Sequence, residues 1–315
     1  MSPAHLKQRL NSICRERLPC PGTGSTAQRH RRLMEVARED VSLARLAEAH
    51  WDAIAILDEA RRRPQPGALY GVWASEVPGK PLLVETCGPD YHLSGSKMFC
   101  SGAGLVDRAL VTVGIPGYSL LDLDLQSAAC CVEIDLSPWN TDAFRSTQTG
   151  TVTFHSLPVP KHSSVGEPGW YLDRPGFWHG ACGPAACWAG GVAGLLDFAM
   201  DSPRRDPHTL AHLAALYANV WALESFLDQA GREIDSCPSD STAARIRALA
   251  VRHLVERLCT DTLQRFARAY GPAPLCMNQE VSRRYHECDL YLRQSHAERD
   301  LERLGSILRA PYKCP

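Results

Sequence analysis

His208 and His212, four residues apart in "HTLAH", are the side chains whose types and spacing most directly suggest chemistry. Residues at i and i+4 stand on one helical face, and two imidazoles there can hold zinc. The zincin pattern also needs a glutamate after the first histidine, or a third ligand at a recognisable spacing. Thr209 stands in that place, so an ordinary polar helix start is expected. Ser94, Ser96 and Ser101 are candidate nucleophiles, but no Gly-x-Ser-x-Gly elbow surrounds them, which disfavours a serine hydrolase. "GGVAG" (190–194) has the glycine density of a phosphate-binding turn. It follows a loop and opens no βαβ unit, so close helix packing is the expected reason for its glycines. The runs "RHRR" (29–32) and "RRR" (61–63) fall at helix ends, where arginines are usually solvated and, at a C-terminus, offset the helix dipole.

Bulk properties narrow the partners. Lys plus Arg total 34 and Asp plus Glu 35, a formal net charge of −1, so no global field attracts nucleic acid or an anionic membrane. A small molecule or another protein is expected instead. Thirteen cysteines lie singly except for Cys130–Cys131, with no CxxC and an odd total, which supports neither a disulfide framework nor a zinc ribbon. Most are expected to be small buried apolar groups in a reducing, cytoplasmic compartment. The opening "MSPAHLKQRLNSICRERLPC" carries charges every few residues and lacks the apolar core of a secretory signal. No apolar run approaches the ~20 residues of a membrane span, so none is expected.

The elements that must position any site follow from periodicity. "CPGTGSTA" (20–27) reads as a loop. Leu33 and Val36 mark a first helical segment, and Leu43, Leu46, Ala47, His50, Ile54 and Leu57 a second, ended by Pro64 and Pro66–Gly67. Residues 1–68 are therefore expected to form a short helical domain. From 69 to 170 the texture becomes short runs rich in Val, Leu, Phe and Thr, including "ALVTVG", "AACCVEIDL" and "GTVTFHSLPVP", which predicts a barrel- or sandwich-like β domain. From 171 to 315 helical spacing returns. "ACWAGGVAGLLDFAM", Leu210 to Leu227, Ile246 to Phe266 before Gly271, and a last pattern from about Asn278 to Gly305 predict a four-helix bundle. The fold class is thus α+β and multidomain.

"YHLSGSKMFCSGAGLVDRALVTVG" (91–114) contains no acid pair, metal cluster or phosphate loop. Together with "YGVWASEVPG" before it, "TVTFHSLPVP" after it and "RRYHECDLYLRQSHAERDLERLG" near the end, it resembles the acyl-CoA dehydrogenase flavoprotein family. The helical–β–helical order agrees over nearly the whole chain. The resemblance implies FAD between the β domain and the bundle, with Ser75 at the flavin pyrimidine edge, Phe99 over the isoalloxazine and Ser101 near the reactive nitrogen. Arg204 and Arg205, in the brief connection "DSPRRDPH", would meet the pyrophosphate.

The same resemblance implies α,β-desaturation of an acyl thioester, an acceptor such as an electron-transfer flavoprotein, and a homodimer or homotetramer built through the bundle. The family's glutamate base follows an Arg-x-x-x-Asp step. Counting from Asp289 places Ala297 or Glu298 nearest that slot, with His296 as the alternative proton acceptor. A residue shift on an unbroken helix turns a side chain by about 100°, so Glu298 needs a loosened backbone there. Two other readings stay open: a reduced-flavin monooxygenase of the same fold, and a non-catalytic paralogue acting as a binding or assembly protein.

Overall fold

The computed structural model describes residues 2–75, 82–114 and 119–309. Contacts group the chain into two compact units, Met1–Leu18 with Leu46–Phe177 and Pro19–Arg45 with Trp178–Pro315. Neither unit is a continuous stretch of chain.

The first unit contains α1 (Pro3–Ile13), most of α3 (Val41–Glu59) and all the strands. Helix α3 stops where the sequence says it must: Arg61 takes a left-handed backbone (φ 56°) and the Arg62 N–H donates back to Leu57 O at 2.8 Å, before Pro64. The strands are β1 (Tyr70–Trp73), β2 (Leu83–Cys87), β3 (Asp90–Cys100), β4 (Arg108–Val113), β5 (Ser119–Asp124), β6 (Val132–Asp135) and β7 (Gly150–Pro160). They form two sheets. One has the order β1-β4-β5, with β1 parallel to β4, and the other the antiparallel order β2-β3-β7-β6. The described strands leave both sheets open, so the β region has a sandwich-like rather than a barrel form. Ala53, Ile56 and Leu57 of α3 pack with Tyr70, Leu110 and Leu120 of the β1-β4-β5 sheet in one core cluster.

The second unit holds α2 (Thr26–Glu39), α6 (Cys182–Asp201), α7 (Pro207–Ser236), α8 (Ser241–Tyr270), α9 (Pro272–Met277), α10 (Gln279–Leu292) and α11 (Glu298–Arg309). Short helices α4 (Trp170–Asp173) and α5 (Pro175–Gly180) precede it in the chain. Helices α6, α7 and α8 pack on one another, α10 packs on α6 and α8, and α2 packs on α6 and α7. The glycines of "GGVAG" explain how. A Cβ at Gly190 would run into the Met34 carbonyl of α2, one at Gly191 would sit 2.6 Å from Cys288 Sγ, and one at Gly194 would strike the Arg284 guanidinium. Asp206, Asp240 and Asn278 cap α7, α8 and α10, each accepting first-turn N–H groups, and Gly271 (φ 67°) ends α8. His208 lies in the first turn of α7, beside the Asp206–Thr209 capping pair.

Three expectations change. The last helical pattern is broken: α10 ends at Leu292 and α11 begins at Glu298. Helix α7 has the length and composition to cross a membrane, although no single run in the sequence is uninterrupted enough to suggest it. Leu210, Tyr217 and Trp221 on it are exposed. Among the described residues no disulfide links the cysteines. Cys100, Cys182, Cys187, Cys259 and Cys288 are buried as expected, but Cys87, Cys130, Cys237 and Cys276 are exposed.

Candidate functional site

Strand β3 carries the first part of the site, and a register irregularity shapes it. Between Lys97, paired with Val152, and Cys100, paired with Gly150, β3 spends three residues against two on β7. One extra residue breaks the alternation of faces. Lys97 and Cys100 therefore both point inward, while the neighbours Met98 and Phe99 both face out. Phe99 sits at φ 60°, a left-handed conformation that costs a residue with a Cβ about 1–2 kcal/mol, and its side chain is 58% exposed. On the other edge of β7, β6 passes so close that a Cβ at Gly150 would lie 2.5 Å from Asp135 O.

Lys97 of the "GSK" triplet is 2% exposed and donates from Nζ to Thr112 O at 2.9 Å. It stitches β3 of one sheet to β4 of the other. Past the bulge, the Ser101 carbonyl accepts the Trp73 indole N–H at 3.1 Å, and the Gly102 N–H donates to Thr147 O at 3.0 Å. Trp73 ends β1, two residues before the exposed Ser75. One indole bond thus ties the end of the strand leading to Ser75 to the turn holding Ser101, next to Phe99. Ser75, Phe99 and Ser101 all belong to the first unit. Glu76, the last residue of "WASE", lies with 77–81 outside the described residues.

Arg204, Arg205, His296 and Glu298 belong to the second unit. Arg204 is largely committed to structure. Its Nη1 donates to Ala269 O at 2.8 Å and its guanidinium lies 5.8 Å from the Tyr270 ring centroid. Arg205 donates from Nη1 to Ser202 O and Arg204 O, folding back on its own loop.

His296 and Glu298 lie at the break between α10 and α11. Ala297 is left-handed (φ 45°), which interrupts the helical register between His296 and Glu298. Glu298 opens α11 as an exposed residue. The His296 imidazole meets a carboxylate instead: Nδ1 is 3.4 Å from Asp300 Oδ1, and the His296 backbone N–H points to Asp300 Oδ2 at 3.4 Å. Asp300 is 7% exposed. Partial burial lowers the His296 pKa from its ordinary value; the Asp300 charge opposes this, and Arg299 and Arg252 reinforce it. Burial thus disfavours the charged imidazole. A proton on Nδ1, facing Asp300, would leave Nε2 as the acceptor.

The sequence reading missed three contributors. Trp73 stands inside the quoted "YGVWASE", and its indole donor was a usable signal. Asp300 lies four residues after His296, a helical spacing that also could have been read. Arg252, described below, lies on α8 and has no local signal at all.

No protein-family model matches the sequence, and no curated protein does. Solved structures do match. The nitrososynthase of Micromonospora carbonacea var. africana superposes with a TM-score of 0.80 at 16% identity, over 99% of this chain and 90% of its own. The FMN-bound dibenzothiophene monooxygenase of Paenibacillus sp. A11-2 gives 0.79 at 18%, over 98% and 96%. The butyryl-CoA dehydrogenase of Megasphaera elsdenii gives 0.75 at 16%, over 88% and 80%. The fold is that of the acyl-CoA dehydrogenases, a fold that these proteins use for more than one reaction.

Proposed function

We propose that this chain is a flavin-dependent oxidoreductase, and that its reaction is oxygenation by reduced flavin. The observation that carries the flavin is Phe99, a large aromatic ring held outward by a bulge and a left-handed backbone. Folds retain such strain where function needs it, and an exposed flat ring suits the face of a flat heteroaromatic cofactor. Ser75 and Ser101 add hydroxyl groups suited to its polar edge. Arg204 and Arg205 fit a pyrophosphate less well, since both spend donors on backbone carbonyls. This favours FMN over FAD, and FMN is the flavin bound in the dibenzothiophene monooxygenase.

A bound reduced flavin supplies the two electrons that divide O2 between product and water. The chain's own contribution is His296, oriented by Asp300, taking a proton from an acceptor substrate at Nε2. A second reading, desaturation of an acyl thioester with transfer to an electron-transfer flavoprotein, is supported by Glu298, which projects from the start of α11 just beyond the left-handed turn. Under either reading we place the protein in the cytoplasm as a homo-oligomer.

The deciding experiment loads the protein with FMN or FAD and records its visible spectrum. Anaerobic addition of an acyl-CoA panel follows, then aerobic turnover with a flavin reductase, indole and 18O2. Label in an indole product without bleaching by any acyl-CoA is expected. Bleaching by an acyl-CoA establishes the desaturase reading, and a protein that binds neither oxidised nor reduced flavin and forms no labelled product is the non-catalytic paralogue.

A further inference from the structure

Five residues, 293–297, separate α10 from α11, and a side chain from α8 reaches them. Arg252, on α8, donates from Nη1 to Ala181 O, just ahead of α6, and from Nη2 to Gln294 O, both at 2.9 Å. Its guanidinium carbon lies 4.7 Å from the ring centroid of Trp188 on α6. Trp188 is 1% exposed and makes an edge contact with Tyr291, the penultimate residue of α10, at 6.2 Å between centroids. One planar group thus uses two edges and a face to join α6, α8 and the end of α10.

Each contact has a physical reason. The Gln294 carbonyl is one of the acceptors left over where a helix ends, and a cation there also opposes the helix dipole. The Ala297 backbone is left-handed, a state that persists only when its surroundings over-determine it. Asp300 holds the turn from the α11 side and Arg252 from the α8 side. Lysine carries the same charge but lacks the fork and the flat face needed to bridge two carbonyls while stacking on an indole.

We infer that Arg252 is the positioning residue of the 293–297 turn, fixing where the His296 imidazole and the Glu298 carboxylate project from the second unit. The mechanical part of this inference stands alone. Its catalytic consequence rests on the proposed role of His296. Burial is the main influence that disfavours the charged imidazole; the charged groups acting on it are Asp300 and Arg299 on α11 and Arg252 on α8, and Arg252 adds to the effect of burial.

Hydrogen–deuterium exchange on the full-length protein tests the clip, with Arg252→Lys and Arg252→Met. Residues 293–297 are expected to exchange at least tenfold faster in both variants, with α6 and α8 keeping wild-type protection in Arg252→Lys. The His296 imidazole, followed by NMR, titrates at a higher pH in Arg252→Met and close to wild type in Arg252→Lys, because only the former loses the positive neighbour. The titration reads the charge of Arg252, and the exchange at 293–297 reads its placement of the turn. Wild-type exchange at 293–297 in both variants overturns the inference. So does faster exchange in Arg252→Lys spread evenly over α6 and α8, which makes Arg252 a general packing residue. A His296→Asn variant that turns over normally overturns the role of His296 while leaving the clip standing.

Discussion

Truncating Phe99 separates a cofactor platform from an ordinary core residue, because the two predict different energies for the same pair of variants. A fully buried phenylalanine removes ~200 Å² from water. With 58% of the side chain exposed, Phe99 hides only about two-fifths of that, or ~80 Å², which at ~25 cal/mol/Å² is about 2 kcal/mol. Phe99→Ala is expected to lower urea stability by about that amount, against 3–5 kcal/mol for a buried phenylalanine. Phe99→Gly removes the same ring but also relieves the left-handed strain of about 1–2 kcal/mol. Glycine's extra freedom in the unfolded chain takes back about 0.5–1 kcal/mol. The glycine variant should therefore be more stable than the alanine variant by about 0.5–1 kcal/mol, the reverse of the usual strand order. Flavin affinity should fall equally in both. Loss of an aromatic stacking partner is worth about 1–3 kcal/mol, a rise in Kd of roughly tenfold to a hundredfold, read by quenching of flavin fluorescence. An alanine variant that costs 3 kcal/mol or more, or an unchanged flavin Kd in either folded variant, refutes the reasoning.

Other outcomes follow from the same structure. His50 is buried, accepts the Tyr70 N–H on Nδ1 at 3.1 Å, and has its pKa pushed down to about 4 by burial. A folded pKa below the unfolded value of about 6.5 means stability is full above pH 6.5 and is lost as pH falls toward 4; the loss is about 2 kcal/mol by pH 5. Urea midpoints at pH 7.5 and 5 should show it, and His50→Gln should flatten the dependence to the part left by His30, which burial likewise lowers to about 4. Gly190→Ala should destabilise by about 1–3 kcal/mol, because its Cβ meets the Met34 carbonyl; differential scanning calorimetry reads the shift. Arg204→Ala should lower the melting temperature through its lost bond to Ala269 O and contact with Tyr270, yet leave the FMN Kd within twofold. A large FMN effect would restore a phosphate-binding role for Arg204.

The sequence made much of the architecture legible, for local reasons. Pro64 and Gly67 had to end α3, Asn278 had to stand near a helix start, and the alternation of Thr151, Val152, Thr153 and Phe154 had to make a half-buried strand. The glycines of "GGVAG" signalled close packing, but not the partner. The partners are α2 for Gly190, more than 150 residues earlier, and α10 for Gly191 and Gly194, about 90 residues later, and such long-range pairing leaves no local periodicity. The resemblance to the acyl-CoA dehydrogenases rested on a few short stretches, and the match in fold to the butyryl-CoA dehydrogenase covers 88% of the chain. The break at 293–297 escaped the reading because apolar spacing continues on both sides of it.

Residue types alone determined that the chain forms helices, then strands, then helices. They also determined that no metal cluster or phosphate loop of known spacing accompanies Phe99 and Ser101, and that a glutamate does not stand plainly in the slot of the family's base. Only the tertiary structure decided what those residues are. A β-bulge against Gly150 turned Phe99 outward, Asp300 made His296 half of a pair, and backbone carbonyls took up the donors of Arg204 and Arg205. The physical reason is common to all of these. Side-chain direction depends on register and on partners far along the chain, whereas secondary structure depends mostly on neighbours within a few residues.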